Sequence, residues 1–328
     1  MSREEDIAKF LTEAGWNDTL TENMDADFST RRFKRLHRKN GETAILMDAD
    51  PGQRTTEFVV LAWLMRGINL SSPQIYAEQK QRGLVLMEDL GEGNVGRLID
   101  GGRYEVEAFY MRAAETLAHL HQNFTITAVN DLRLVRYTSA VFTKQAELFL
   151  EGYFPLMLKR PPSDDERKQF QTAWMESLQP VDSMPQSLML RDYMPDNVMD
   201  LPDRNGWRSL GLLDFQDAGI GPIAYDLTSF CEVVRRDGGD IYLRRVMARY
   251  FECMKPNCTW EALLKAGAIL AAQRHTRILG ILGNLKRKDP NSSKLSYLPR
   301  VEEYVKHVLK DAAVKPVRQW MTEVGLFT

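Results

Sequence analysis

Apolar residues recur at helical spacing over residues 4–14 (Ile7, Phe10, Leu11, Ala14) and Gly15 follows as a stop signal, so a short amphipathic helix is expected there. The period then changes. Residues 28–37 mix basic and apolar side chains, Asn40-Gly41 is a two-residue hairpin signal, and residues 43–47 return as a strand. A helix is expected from about residue 55 to 65, with Thr55 or Thr56 as N-cap, Phe58, Leu61, Leu64 and Met65 as its buried face, and Gly67 as its end. Residues 83–88 read as a short buried strand halted by Asp89-Leu90-Gly91. From Glu105 onward helical spacing dominates, starting with a helix to about His121, and one β island interrupts it at residues 188–199 and 209–215. No period of 20–50 residues repeats, which excludes a solenoid. The pattern predicts an α+β protein: a small β-rich lobe over residues 1–90 and a larger, mainly helical lobe over 91–328, with a cleft between them suited to a nucleotide.

Composition changes this picture little. At 328 residues with 44% hydrophobic and 27% charged positions, the chain is long enough for two cores and has no low-complexity tract. Its formal charge of -2 gives no ground for a nucleic-acid or membrane partner. The sum conceals an asymmetry: from Ser229 onward 18 Lys/Arg stand against 10 Asp/Glu, a formal +8, against -10 over residues 1–228. Three cysteines do not make a disulfide framework, and the C-x4-C pair Cys253/Cys258 lacks the second pair that zinc needs. The first residues carry no apolar signal region, and no apolar run approaches the ~18 residues of a membrane span, so a cytoplasmic protein is expected.

The chemistry concentrates in Leu190-Arg-Asp192-Tyr-Met-Pro-Asp-Asn197 and in Leu212-Leu-Asp214-Phe. Phosphoryl transfer asks for a carboxylate that receives the attacking hydroxyl's proton and for oxygen ligands that hold Mg²⁺ on the phosphates. An Asp followed five residues later by Asn, on a turn stiffened by Pro195, can supply the base and one ligand. A second Asp at the end of a following strand supplies another, and Mg²⁺ favours such hard donors. Alone, D-x4-N is weak. Joined to Leu-Asp-Phe and then to Gly221-Pro-Ile-Ala-Tyr-Asp226-Leu it becomes specific.

With these motifs the chain resembles the aminoglycoside phosphotransferase/choline kinase superfamily, whose pattern is H-x-D-x-H-x-x-N, then I-D-W/F, then G-D-P-x-x-D-L-A. The resemblance covers about residues 20–290 and implies a protein-kinase-like bilobal fold, ATP as donor and Mg²⁺ as cofactor. Within the superfamily the chain looks like the bacterial anomeric kinases that phosphorylate the C1 hydroxyl of N-acetylmuramate and N-acetylglucosamine in cell-wall recycling. It shares Leu190-Arg-Asp-Tyr193, Leu212-Leu-Asp-Phe-Gln-Asp-Ala218, the helical stretch around Ala271-Ala-Gln-Arg274-His-Thr-Arg277 and the early Asp27-Phe-Ser-Thr-Arg-Arg-Phe33 segment. The resemblance implies that Asp192 is the catalytic base, Asn197 and Asp214 the Mg²⁺ ligands, and Ser29, Thr30, Arg31 and Arg32 the turn over the ATP phosphates. It further implies a hinge near 88–91, where the backbone from Glu88 to Leu90 meets adenine, and that Asp226 is a buried structural carboxylate tying the catalytic loop to a helix.

Three departures stand out. Met194 replaces the second His of the pattern, and Gln216 replaces the Gly of a protein-kinase D-F-G. Strand three offers Met47 where a phosphate-binding lysine is expected. Arg31 or Arg32 is the nearest replacement cation, and because successive strand residues point to opposite faces, one of the two is expected to serve. Glu57 stands where a kinase helix carries the lysine's partner, but reads as a first-turn glutamate that suits the helix dipole. His119 and His121 do not share a helix face, and His121 is expected to pack rather than react. No P-loop, Rossmann or nucleophile-elbow signature occurs. The acceptor classes left open are an N-acetylated amino sugar, with Arg274 and Arg277 suited to the carboxylate of N-acetylmuramate, and a cationic aminoglycoside or choline. A degenerate kinase that binds nucleotide without turnover is the third possibility, motivated by Met47 and Met194.

Overall fold

The computed structural model describes residues 2–24, 31–51, 53–132, 134–236 and 238–327. Among these, the strands in chain order are β1 (Leu20–Met24), β2 (Arg32–His37), β3 (Thr43–Asp48), β4 (Ile75–Gln79), β5 (Leu84–Glu88), β6 (Gln186–Met189), β7 (Val198–Asp200), β8 (Leu210–Leu212) and β9 (Gly219–Pro222). The chain forms two compact units: Met1–Thr116 with Pro195–Asp217, and Leu117–Met194 with Ala218–Thr328.

In the first unit β1 to β5 make one antiparallel sheet in the order β1-β2-β3-β5-β4. Side-chain alternation fixes its register. Ala44 and Leu46 of β3 and Leu84 and Leu86 of β5 share one face, where they form a core with Leu36, Trp16 and Phe10 of α1 (Arg3–Glu13). Ile45, Met47, Val85 and Met87 share the other face and are also buried, which is why both strands read as continuous apolar runs. α1 starts from a capping box in which the Ser2 hydroxyl accepts from the Glu5 N–H and the Glu5 carboxylate accepts from the Ser2 N–H. The β2–β3 hairpin has a loop one residue longer than Asn40-Gly41 alone predicts. The Arg38 N–H donates to the Glu42 carbonyl at 2.9 Å and Gly41 adopts φ 88°, so Lys39, Asn40 and Gly41 form a three-residue loop ending in a left-handed residue. Gly83 enters β5 at φ 70°, and a Cβ there would stand 2.1 Å from the Ala49 carbonyl oxygen, so only glycine fits.

The next helix, α2 (Thr55–Gly67), corrects the expected cap. Arg54 is its N-cap residue, left-handed at φ 53° and ψ 32° with no side-chain cap bond, while Thr55 is the first helical residue and buried. The edge strands β1 and β4 were not foreseen. β1 is exposed throughout and β4 only half-buried, so neither carries an apolar alternation. After α3 (Val95–Asp100), whose N-cap Asn94 accepts from the Arg97 N–H, α4 (Val106–Asn123) begins. The first unit is completed by β7 and β8, an antiparallel pair.

The second unit is mostly helical. Its longest helix, Trp260–Lys288, is N-capped by Thr259. Gly280 on this helix lies against the main chain of Leu148, where a Cβ would meet the carbonyl carbon at 2.2 Å, so the segments cross in backbone contact. Phe149, Phe154, Phe170, Trp174 and Trp320 build an aromatic core beside it. β6 and β9 pair antiparallel, so the expected β island is two separate ribbons, β6–β9 and β7–β8. Among the described residues no helix is long and apolar enough to cross a membrane.

Candidate active site

The β7–β8 ribbon explains why Asn197 and Asp214 stand 17 residues apart. Val198 pairs with Leu212, and the Leu213 N–H donates to the Asn197 carbonyl at 3.0 Å, so the residues flanking the ribbon emerge side by side. Asn197 Nδ2 lies 3.4 Å from Asp214 Oδ2. Asp214 is exposed and left-handed at φ 56°, a conformation that Asp tolerates better than most residues. Phe215 anchors the turn: it is buried and stacks on Phe58 of α2, ring centroids 5.0 Å apart. Gln216, also buried, donates to Asp214 Oδ1 at 2.7 Å and lies 3.5 Å from Asp217 Oδ2. The residue that replaces the usual glycine therefore orients the carboxylate.

Arg31 and Arg32 part company as strand geometry requires. Arg32 pairs with Asp48 across β2–β3, and its Nε donates to Asp48 Oδ2 at 2.9 Å. Arg3 of α1 donates to the same carboxylate. Burial pushes the Asp48 carboxyl upward, but the bonds from Arg32 and Arg3 outweigh it and hold the group below its ordinary value. Arg31 turns the other way. Its Nη2 donates to the Gln53 carbonyl at 3.0 Å, its Nη1 is 3.9 Å from Asp214 Oδ1, and its side chain is 11% exposed. Burial lowers its pKa against the pull of Asp214 and Asp217, and the charge of Arg54 adds to the lowering. Ser29 and Thr30 lie outside the described residues. Met47 is buried between Phe33 and Val85 on its neighbouring strands and fills core. Sequence reasoning missed Arg54, whose Nε is 3.5 Å from Glu57 Oε1 and whose Nη1 is 3.3 Å from Asp217 Oδ1. Its position directly before a predicted helix was the available signal.

At the end of β5, the Glu88 carboxylate accepts from Arg204 at 2.5 Å, from Arg66 at 3.2 Å and from the Gln74 N–H at 3.0 Å. The Glu88 N–H donates to the Gln74 carbonyl at 2.8 Å. Asp89 pairs with Arg35 at 2.7 Å and accepts from the Gly91 N–H, so the segment around the half-buried Leu90 is held on both sides.

In the second unit β6 leads into the loop that carries Asp192. Asp226 is 1% exposed, and its two oxygens accept from the Leu190 and Arg191 N–H groups at 2.6 and 2.8 Å. Burial raises its pKa to about 7, while those two amides pull it down and the charge of Asp192 pushes it up. Arg191 is left-handed at φ 70°, so both residues that set up the motif carboxylates, Arg191 before Asp192 and Asp214 itself, occupy a sparsely populated region. Tyr193 is buried and stacks on Phe230 at 4.8 Å, while Asp192 and Met194 are half-buried. His121 supports the same loop from behind. Its Nε2 donates to the Leu188 carbonyl at 3.1 Å, which leaves Nδ1 to accept from the Tyr250 hydroxyl at 2.7 Å. Burial lowers its pKa to about 4, as suits a packed neutral imidazole.

The structure separates Arg274 from Arg277. Arg274 is buried and donates to the Glu232 carbonyl at 3.1 Å. Arg277 is half-buried, its Nε has no hydrogen-bond partner among the described residues, and its charge acts on Tyr137, over whose ring the Arg191 guanidinium sits at 5.3 Å.

Residues 22–263 match the model of the phosphotransferase enzyme family (APH), and the chain belongs to that family. The fold agrees. A choline/ethanolamine kinase family protein from Mesorhizobium loti superposes with a TM-score of 0.63 at 13% identity, covering 97% of this chain and 100% of that one. Two N-acetylmuramate/N-acetylglucosamine kinases are relatives in sequence. The one from Caulobacter vibrioides is 26% identical over 98% of this chain and 96% of its own length. The one from Pseudomonas putida is 24% identical over 93% and 89%. The expected superfamily and kinase-like α+β fold are thus borne out, and the protein is a phosphotransferase.

Proposed function

We propose that this chain is a cytoplasmic, ATP- and Mg²⁺-dependent kinase that phosphorylates the anomeric C1 hydroxyl of N-acetylmuramate or N-acetylglucosamine. The observation that carries the kinase reading is the 3.4 Å approach of Asn197 Nδ2 to Asp214 Oδ2, which supports a shared Mg²⁺ site once the amide turns its oxygen toward the ion. Among the described residues no group of three or more His, Cys, Asp or Glu forms a metal nest. One carboxylate and one amide oxygen fit Mg²⁺, which completes its shell with phosphate oxygens and water. Bound there, the ion would neutralise charge on the transferring phosphate.

The protein's own groups do the rest. Asp192 accepts the acceptor hydroxyl's proton on a loop whose backbone Asp226 fixes. Gln216 holds Asp214 in orientation, and Arg31 faces the phosphates from the side opposite Arg32. Glu88 and Leu90 offer main-chain groups to adenine, with the Glu88 amide already committed to Gln74. The amino-sugar acceptor is supported by the names of the relatives, together with the basic stretch from Ser229 onward. Of the two candidate arginines, the half-buried Arg277 is the one for the carboxylate of N-acetylmuramate, since Arg274 is buried and bound to the Glu232 carbonyl. The test is ADP release with ATP·Mg²⁺ and N-acetylmuramate, N-acetylglucosamine, kanamycin or choline in turn. Turnover on the two sugars is expected. Turnover on kanamycin or choline alone, or nucleotide binding without turnover on any of the four, contradicts the reading.

A further inference from the structure

We propose that Arg54, held by Glu57 of α2, replaces the missing strand lysine as the cation that meets the α- and β-phosphates of the nucleotide. The inference rests on the kinase reading above. It begins with a deficit: Met47 is 1% exposed and carries no charge, and unpaired phosphate charge in a protein site is costly. A kinase of this class meets that demand with a lysine steadied by a helix carboxylate. Here the helix carboxylate is present as Glu57, in the first turn of α2, and the cation beside it is Arg54, Nε to Oε1 3.5 Å. The pair has moved from strand-to-helix to within the helix start.

Three further observations support the assignment. Arg54 stands at φ 53°, where glycine or asparagine is the usual occupant, and it makes no N-cap bond. Helix capping therefore does not explain an arginine at this position. Its Nη1 lies 3.3 Å from Asp217 Oδ1, and the Gln216 amide lies between Asp217 and Asp214, so the guanidinium is linked through two side chains to the candidate metal carboxylate. The fork geometry of arginine lets Nε stay on Glu57 while the terminal nitrogens turn from Asp217 to phosphate oxygens. Arg31 adds a second guanidinium, 3.9 Å from Asp214 Oδ1, so phosphate charge held near that carboxylate can meet both arginines.

The experiment is calorimetric titration of ADP and adenosine, each with Mg²⁺, into wild type, Arg54→Gln, Arg54→Lys and Glu57→Gln, with circular dichroism as the check of folding. Wild type should bind ADP more tightly than adenosine. Arg54→Gln should lose at least about tenfold in ADP affinity and change adenosine affinity less than about twofold. Arg54→Lys should recover part of the loss, and Glu57→Gln should weaken ADP in the same selective way. Should Arg54→Gln fail to fold, Glu57→Gln carries the test, and unchanged ADP affinity in it overturns the proposal. If the ADP preference survives in a folded Arg54→Gln, or ADP and adenosine affinities fall together, Arg54 does not serve the phosphates and the kinase reading stands. A wild type without any preference for ADP over adenosine overturns both.

Discussion

Two adjacent arginines with opposite fates show how much a single residue's direction decides. Arg32 is committed to Asp48, a buried carboxylate that Arg3 also holds, whereas Arg31 sits 3.9 Å from Asp214. Arg31→Ala should therefore weaken ADP binding by about 10- to 150-fold and leave adenosine binding nearly unchanged. Arg32→Ala should leave both affinities alone and cost less than ~1 kcal/mol of stability, because the Arg32 side chain is 54% exposed and Arg3 keeps Asp48 paired. Titrations of ADP and adenosine into the two variants, with a thermal melt of each, check the pair of outcomes. Equal losses of ADP affinity in the two variants would remove the distinction. As the proposed base, Asp192 would act in the chemical step, so Asp192→Asn should lower kcat at least ~100-fold while ADP binds as before. Near-normal turnover in a coupled ADP-release assay would take Asp192 out of the role of base.

At the scale of elements, the loop carrying Asp192 is held by parts that do no chemistry. His121 is one of them, and its protonation is linked to stability. Burial holds its pKa in the fold at about 4, below the ordinary 6.5 of histidine, so the native state resists a proton that the unfolded chain accepts. The contribution is present above pH 6.5 and is lost as the pH falls toward 4, with a full loss on the order of 3 kcal/mol. His121→Gln should be less stable than wild type at pH 7, and the gap should narrow at pH 4.5. Thermal melts at the two values test this, and a gap that widens on acidification contradicts it. The elements also show what a sequence exposes. Buried on both faces, β3 and β5 were legible as apolar runs, and the α1 periodicity and its Gly15 stop held. β1 and β4 were not legible, since edge strands with polar faces carry no alternation. The Asn197–Asp214 pairing was legible because it lies in a local ribbon with its own motif. Arg54 was not, because its role depends on a left-handed turn and on a carboxylate 163 residues away.

The whole molecule adds the question of what is phosphorylated. The chain belongs to the phosphotransferase enzyme family, and such folds host acceptors as different as choline and amino sugars, so the acceptor must be argued from the chain's own charge and residues. The formal +8 from Ser229 onward, to which the half-buried Arg277 contributes, favours an acceptor with a carboxylate over a polycation. Arg277→Ala should therefore raise KM for N-acetylmuramate about tenfold or more and leave KM for N-acetylglucosamine, which has no carboxylate, within about twofold. Equal effects on the two sugars would remove Arg277 from that role. The most direct measurement of the central claim is phosphorus NMR of the product formed from N-acetylmuramate and ATP·Mg²⁺. The account predicts one new phosphomonoester signal split by coupling to the anomeric proton. A phosphate on any other hydroxyl, or no transfer to the sugar by the folded enzyme, contradicts it.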